Sequence, residues 1–501
     1  MNKQNKVHIH KLPTGVSGLD EILGGGLPEY SFNIIAGSPG CGKTTLAHQI
    51  IFANATPERP SLYFTVLGEP AIKMLRYQQQ FEFFDNNKVN TCIRFINLSE
   101  IVLEKDLNAV LEEIIKEVEA ANPGIVVVDS FRTVVRKIQG SAGNEMELQN
   151  FVQRLALHMA TWQATTFLIG EYQEDEQRDN PVFTVADGLF WLSQQVEQNS
   201  IVRKMQIVKL RGQASIPGLH TFRITDFGLQ TFPRTYGIKT KPNQAAQRNR
   251  LSCGIAELDK MLGGGIPEGD TILVTGPTGS GKSILCAQFI AEGLKSGEPA
   301  VIVVFEERPN EYMKRAKNFG FDLEKSKYEG ILEILYLRPL DLSVDETMYE
   351  IIQAVERTGA KRLVIDSLSG FEIALAPGFR ADFRESIYRM IGALTKSGVT
   401  ILSSIEVQET FISYSFSNFG VSFISDDIIR LRYVSINGQL RRIVLVAKMR
   451  GGDHSKDIRE YTITPDGLEI GKRLKGYRAL ISGIPGPWNN TVGGTDIINN
   501  P

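Results

Sequence analysis

Two segments have the residue types and spacing to do chemistry: Gly37-Ser38-Pro39-Gly40-Cys41-Gly42-Lys43-Thr44 and Gly276-Pro277-Thr278-Gly279-Ser280-Gly281-Lys282-Ser283. Both fit G-x-x-x-x-G-K-[ST], and the second follows the first at an offset of 239 residues (37 to 276). Glycines at this spacing let backbone N–H groups converge on phosphate oxygens. The lysine neutralises the β and γ phosphates, and the closing hydroxyl ligates Mg²⁺. One expected cradle therefore comprises Gly37, Ser38, Gly40, Cys41, Gly42, Lys43, Thr44 and Thr45. The other comprises Gly276, Thr278, Gly279, Ser280, Gly281, Lys282, Ser283 and Ile284. A single match could be accidental. Two at a fixed offset imply paired sites for nucleoside triphosphate, and the lack of an Asn-Lys-x-Asp segment speaks against guanine.

Acidic residues near the loops extend the chemistry. Asp129 and Asp366 end apolar runs, Ile125 to Val128 and Leu363 to Ile365, and precede Ser130 and Ser367. A carboxylate there can hold the Mg²⁺ shell opposite the loop hydroxyl of Thr44 or Ser283; the alternative is a strand-ending Asp that caps a helix. Glu306 and Glu307 follow the apolar run Ala300 to Phe305. Adjacent carboxylates can divide the work, one orienting or deprotonating an attacking oxygen while the other tunes its pKa. They could also be a solvated surface pair. In the first copy the same register holds Leu67 and Gly68, with Glu69 the nearest carboxylate. Either Glu69 takes over, or the first site hydrolyses slowly.

The 239-residue register spans whole domains. Leu19-Asp20 pairs with Leu258-Asp259, Gly24 to Gly26 with Gly263 to Gly265, and Lys209 and Arg211 with Lys448 and Arg450. The expected division is residues 1–232, a basic linker at 233–250, a second copy at 251–475 and a tail at 476–501. Runs Ser31 to Ala36 and Thr271 to Thr275 read as strands feeding the loops, with helices from Thr45 and Ile284. Such continuous apolar strands suit a mainly parallel sheet covered by helices on both faces, an α/β fold with ligands beyond the strands' carboxyl ends. Ser200 to Thr225 and Gln439 to Thr464 read as antiparallel strands closing each sheet.

Lysine plus arginine number 55 against 57 acids, so no global field draws the chain to nucleic acid or membrane. No apolar run approaches the roughly 20 residues needed to cross a bilayer. The polar N-terminus carries no signal core, and the four cysteines form no C-x-x-C pair, which together suggest a reducing cytoplasm. The linker's five cations, Arg234, Lys239, Lys241, Arg248 and Arg250, read as a solvated connection or as a dock for an acidic surface.

At these residues the sequence resembles the KaiC circadian-clock ATPases, a branch of the RecA-like fold. The resemblance covers both phosphate loops, both strand-end aspartates, Lys209-Leu210-Arg211-Gly212, Lys448-Met449-Arg450-Gly451 and Ile365-Asp366-Ser367-Leu368-Ser369. It implies two tandem RecA-like P-loop domains in a two-tiered homohexameric ring with ATP and Mg²⁺ at subunit interfaces. The second tier would be a serine/threonine autokinase, and the whole a clock-type or signalling regulator. By that resemblance Lys282, Ser283 and Asp366 hold ATP and Mg²⁺, with Glu306 as general base and magnesium neighbour and Glu307 as its companion. Lys448, Arg450 and His454 would reach the adjacent subunit's nucleotide, as Lys209 and Arg211 would in the first tier beside Lys43, Thr44 and Asp129.

The chain also departs from that pattern. The family's adjacent Ser-Thr phosphoacceptor pair falls on Ser422-Phe423, of which only Ser422 can accept phosphate. A purely structural serine is the alternative there. A KaiB-like regulator is implied by analogy, whereas the short tail, rich in Gly, Pro and Asn and without a helical pattern, weakens the expectation of a KaiA-like activator. From another functional class comes a RecA-like nucleic-acid-dependent ATPase, disfavoured by the balanced charge. A nucleotide-gated scaffold without useful turnover is a third possibility.

Overall fold

A computed structural model describes the chain except residues 1–8, 67–70, 105, 133–144, 174–175, 177–179, 198–199, 235–248, 338–342, 376–382, 408–424, 479, 481–485 and 488–501. Leu67, Gly68, Glu69, most of the linker, Ser422 and Phe423 thus lie outside the described residues. The chain divides into two compact units, Met1–Thr235 and Tyr236–Pro501.

Nine strands form the sheet of the first unit: β1 (Phe32–Gly37), β2 (Ser61–Thr65), β3 (Ile93–Asn97), β4 (Ile125–Asp129), β5 (Thr165–Glu171), β6 (Gly188–Glu197), β7 (Ser200–Leu210), β8 (Leu219–Thr225) and β9 (Gly228–Phe232). Their order is β9-β8-β7-β6-β1-β5-β4-β2-β3. From β6 to β3 every pairing is parallel, and β7 to β9 extend the sheet antiparallel. The second unit repeats the plan with β10 (Thr271–Gly276), β11 (Ala300–Val304), β12 (Leu332–Tyr336), β13 (Arg362–Asp366), β14 (Thr400–Glu406), β15 (Asp427–Ile436), β16 (Gln439–Met449), β17 (Arg459–Thr464) and β18 (Gly467–Arg473). Its order is β12-β11-β13-β14-β10-β15-β16-β17-β18.

Successive strand side chains point to opposite faces, so a strand buried on both sides feeds two cores. Ile35, Tyr63, Val127 and Phe167 pack with Leu46, Ile50 and Ile51 of helix α1 (Lys43–Asn54). Their neighbours Ile34, Phe64, Val128 and Leu168 pack on the other face with Leu111, Ile114 and Val118 of α2 (Leu107–Ala121). In the second unit Val274, Ile302 and Val364 meet Leu285 and Phe289 of α3 (Lys282–Lys295). Leu273, Val303 and Ile365 face the opposite core. The expected parallel sheet with helices on both faces is what forms.

Helix ends follow local chemistry. The Asp106 side chain accepts from the Ala109 amide 2.9 Å away at the start of α2, satisfying one of the donors that a helix N-terminus leaves unpaired. In the linker region, Arg250 belongs to the second unit: its Nη1 donates to the carbonyls of Leu262 (2.8 Å) and Gly265 (2.7 Å). Part of the tail also folds back, with Tyr477–Arg478 pairing antiparallel with Gly486–Pro487 and Leu480 buried against Val434 and Ile443.

Candidate functional site

Each phosphate loop connects the carboxyl end of a central strand to the helix behind it. The loop can turn so tightly because Gly40 and Gly42 (φ 74° and 99°), like Gly279 and Gly281 (75° and 92°), occupy the left-handed region. At Gly37 a side chain would also collide, since a Cβ there would lie 1.9 Å from the Leu192 carbonyl oxygen. Both loop lysines turn onto their own loops. Lys43 Nζ donates to the carbonyls of Gly37 (3.1 Å) and Ser38 (2.8 Å), and Lys282 Nζ to those of Gly276 (2.9 Å) and Pro277 (2.8 Å). Burial lowers the Lys282 pKa below the ordinary lysine value, while Glu406, Asp366 and Glu306 oppose that shift.

In the first unit the loop hydroxyl and the strand-end acid meet: Thr44 Oγ1 donates to Asp129 Oδ2 at 2.8 Å. The same oxygen accepts from the Tyr63 hydroxyl at 2.6 Å, and the buried His48 ring stacks on Tyr63 with centroids 4.7 Å apart. Burial raises the Asp129 pKa, and the hydroxyls of Tyr63 and Thr44 hold it down in part. Two oxygen donors converging beside a phosphate loop are the set a hard divalent cation prefers, so these residues fit magnesium.

The second unit builds the same place differently. Asp366 Oδ1 accepts from Ser404 Oγ at 2.6 Å, and Asp366 Oδ2 lies 3.9 Å from Arg315 Nη2. Helix capping falls to Ser367, whose hydroxyl accepts from the Gly370 amide at 3.0 Å, leaving Asp366 available. At Asp366, then, the helix cap is supplied by the serine and not by the aspartate. Glu306 Oε1 accepts from Ser367 Oγ at 3.4 Å, and Glu307 Oε2 pairs with Arg315 Nη2 at 2.8 Å. Burial raises the Glu307 pKa, and Arg315 opposes the rise. Glu406, which ends β14, accepts from Thr278 Oγ1 of the loop at 2.5 Å. Glu306, Glu307 and Asp366 thus gather around one loop, as the sequence suggested. Ser404, Glu406, Arg315 and, in the first unit, Tyr63 were not foreseen. A 239-residue offset comparison would have marked Tyr63, because it stands opposite the aliphatic Ile302.

The Lys-x-Arg segments lie at the other end of the sheet. The Arg211 amide donates to the Asp187 carbonyl (2.9 Å), and the Asp187 amide to that of Phe32 (2.7 Å), level with the start of β1. Arg450, Asp426 and Thr271 repeat this chain at 3.2 Å and 2.8 Å. The loops begin at the far ends of these strands, roughly 17 Å away at strand rise, beyond the reach of an arginine on the same chain. The cations are held locally: Arg211 pairs with Asp187 (3.1 Å) and Arg450 with Asp426 (3.3 Å). Lys209 Nζ donates to the Thr184 carbonyl (3.0 Å) and Lys448 Nζ to that of Ser425 (2.5 Å). Burial first, and the neighbouring arginine second, lower both lysine pKa values. His454 is half-buried just beyond, its amide donating to Asp453 Oδ1. Beside Arg450, Asp427 is fully buried with no hydrogen-bond partner at either oxygen. Burial and the charge of Asp270 push its pKa up to about 7.

A family model described as "ATPase: KaiC" matches residues 12–236 and again 251–475. The chain belongs to the KaiC ATPase family. It is 30% identical over 486 residues to a circadian clock oscillator protein KaiC of Picosynechococcus, covering 95% of this chain and 92% of that protein. KaiC 1 of Synechocystis is equally similar, with the same identity and coverage. KaiC of Prochlorococcus marinus is 29% identical over 488 residues, 96% of each chain. In this KaiC-family chain the two matched segments coincide with the two nine-stranded sheets and their loops.

Proposed function

We propose that the chain is an ATP-hydrolysing, ring-forming regulator whose second domain also phosphorylates serine on its own kind. The observation that carries this reading is the asymmetry of two otherwise repeated sites. Both have a phosphate loop and a strand-end aspartate, but the adjacent acids Glu306 and Glu307 stand only in the second copy, opposite Leu67 and Gly68. Lys43 and Lys282 would leave their loop carbonyls to meet the β and γ phosphates. Thr44 with Asp129, and Ser283 with Asp366, would hold Mg²⁺, which supplies charge neutralisation at the transferring phosphoryl group.

In the second domain Glu306 would accept the proton as a seryl or water oxygen bonds to the γ phosphorus. The bond to the β–γ bridging oxygen breaks and ADP leaves. Glu307 and Glu406 would fix the geometry around that centre. Lys209, Arg211, Lys448, Arg450 and His454 would act on a neighbouring subunit's nucleotide, a role supported by their distance from their own loops. ATP sites shared between subunits need a ring, and a homohexamer is the assembly the family resemblance implies. The relatives are named as circadian clock oscillators, so a timing or signalling role follows, with a KaiB-like regulator as a candidate partner. Among the described residues no helix is long and apolar enough to cross a membrane; a cytoplasmic setting suits the free cysteines.

Incubation with γ-labelled ATP tests the proposal. Wild type should incorporate label, Glu306→Gln should not, and Ser422→Ala should lose most of it. Label retained in both variants would overturn the assignment, and stimulation of hydrolysis by single-stranded DNA would favour a nucleic-acid motor instead.

A further inference from the structure

The carboxylates of the second site are already engaged by a cation that belongs to the protein. Arg315 lies on α4 (Pro309–Lys317), the helix that follows Glu306 and Glu307. Its guanidinium turns back over the Tyr312 ring, 5.2 Å from the centroid. From there Nη2 reaches Glu307 Oε2 at 2.8 Å and Asp366 Oδ2 at 3.9 Å. The Asp366 side chain is 8% exposed and that of Arg315 42%, so the guanidinium has room to swing outward while the aspartate does not. Arg315 and Tyr312 line a small cleft with Ser283, Ile284 and Ala287, which places them beside the loop hydroxyl.

We propose that Arg315 is a latch: it holds Glu307 and Asp366 together before magnesium arrives, and releases Asp366 when Mg²⁺–ATP binds. The inference rests on the reading of Asp366 as the magnesium carboxylate. Three acids around one loop repel one another, and a fixed cation relieves that repulsion in the nucleotide-free protein. Guanidinium and Mg²⁺ need the same carboxylate oxygens, so binding of one opposes binding of the other. The contacts are unequal. The 2.8 Å pair with Glu307 can serve as the pivot, while the 3.9 Å approach to Asp366 is the part that opens.

Among the described residues of the first domain, no arginine is seen on Asp129. The register partner of Arg315 there is Arg76, an exposed residue on Ala71–Gln78, and Leu67 and Gly68 stand where the acid pair would be. Asp129 is held by neutral hydroxyls instead. The latch therefore ties magnesium demand to the second site.

The test uses the full chain carrying Lys43→Ala, so that only the second site reports, with Lys43→Ala/Lys282→Ala as the blank. Binding of the N-methylanthraniloyl derivative of ATP is followed as Mg²⁺ is titrated. Arg315→Gln should lower the Mg²⁺ concentration for half-maximal binding about 1.5- to fivefold, the range for a partly exposed charge pair. Binding at saturating Mg²⁺ should stay unchanged. Arg315→Lys, which keeps the charge but loses the planar fork, should fall between the two and carries the test if the glutamine variant misfolds. An unmoved Mg²⁺ midpoint refutes the latch. So does weaker binding at every Mg²⁺ concentration, which would make Arg315 a nucleotide ligand. A Lys43→Ala parent no better than the blank would refute the second nucleotide site itself. The latch is then judged from melting in Mg²⁺ alone, where Arg315→Gln should gain more Tm than its parent and equal gains would overturn it.

Discussion

Asp427 allows a prediction with a worked sign. Both of its oxygens are buried, Asp270 and Asp426 add like charge, and the nearby Arg450 backbone and Arg250 oppose them in part. Its pKa stands at about 7 against an ordinary 3.8. A carboxyl raised in the folded state keeps its proton while the unfolded chain has already lost one. Stability is therefore fully present below pH 4 and declines as pH rises to about 7. At about 1.4 kcal/mol per pKa unit, ionised Asp427 destabilises the second domain by about 4 kcal/mol at pH 8. Asp427→Asn removes the titration and keeps the shape. The variant should match wild type near pH 4 and exceed it by about 4 kcal/mol at pH 8, with the gap level above pH 7. A melting series across pH reads this directly, at about 2–4 °C per kcal/mol for a domain of this size. Asp270→Asn should flatten the wild-type pH dependence in part, because it removes the like charge that raises the Asp427 pKa most. A stability gain that is the same at every pH would refute the reasoning, since it would show that Asp427 is not what titrates.

Four further outcomes follow from the geometry. Tyr63→Phe removes a hydrogen bond to a buried carboxylate and should destabilise the first domain by about 1.5–3 kcal/mol in denaturant unfolding; no loss would mean the Asp129 contact is idle. Gly37→Ala places a Cβ 1.9 Å from the Leu192 carbonyl, so nucleotide retention at the first site should be abolished, as judged by filter binding with Lys282→Ala in place. Subunits carrying Arg450→Ala and subunits carrying Lys282→Ala should each be inactive at the second site, yet regain turnover when mixed; mixing without recovery contradicts action across an interface. Arg362→Leu strands Glu298, its 2.7 Å partner, and opens two carbonyl contacts, so a loss of about 3–5 kcal/mol is expected by calorimetry.

What the sequence made legible was whatever repeats. Strand periodicity, loop glycines and the aspartates after apolar runs all recur at one offset, so Phe32–Gly37 and Thr271–Gly276 form with the neighbours their patterns require. The contacts that differ between copies were hidden for the same reason. Tyr63 looks like any aromatic in a buried strand until its hydroxyl is seen 2.6 Å from Asp129. Arg315 looks like one more charge on a helix rich in lysine and arginine, and its helical spacing does not reveal that it folds back onto the preceding turn. Nothing in the sequence singles out Asp427, which is fully buried and whose register partner is Gly188.

Those differences bear on function because they change charge where the scaffold does not change. Asp129 sits among hydroxyls, which support a carboxylate without competing for a metal as strongly as a fixed cation would. Asp366 sits among acids and an arginine, so its availability depends on what else occupies the site. The first site, where Lys43 and Glu171 are the charges acting on Asp129, has no arginine seen on its aspartate among the described residues and should respond less to conditions. A charged surround makes occupancy depend on magnesium and phosphate together, since each new charge alters the repulsion felt by the rest. If the two halves perform different tasks, the division is built from these few side chains on β2, β14 and α4 rather than from any change of fold.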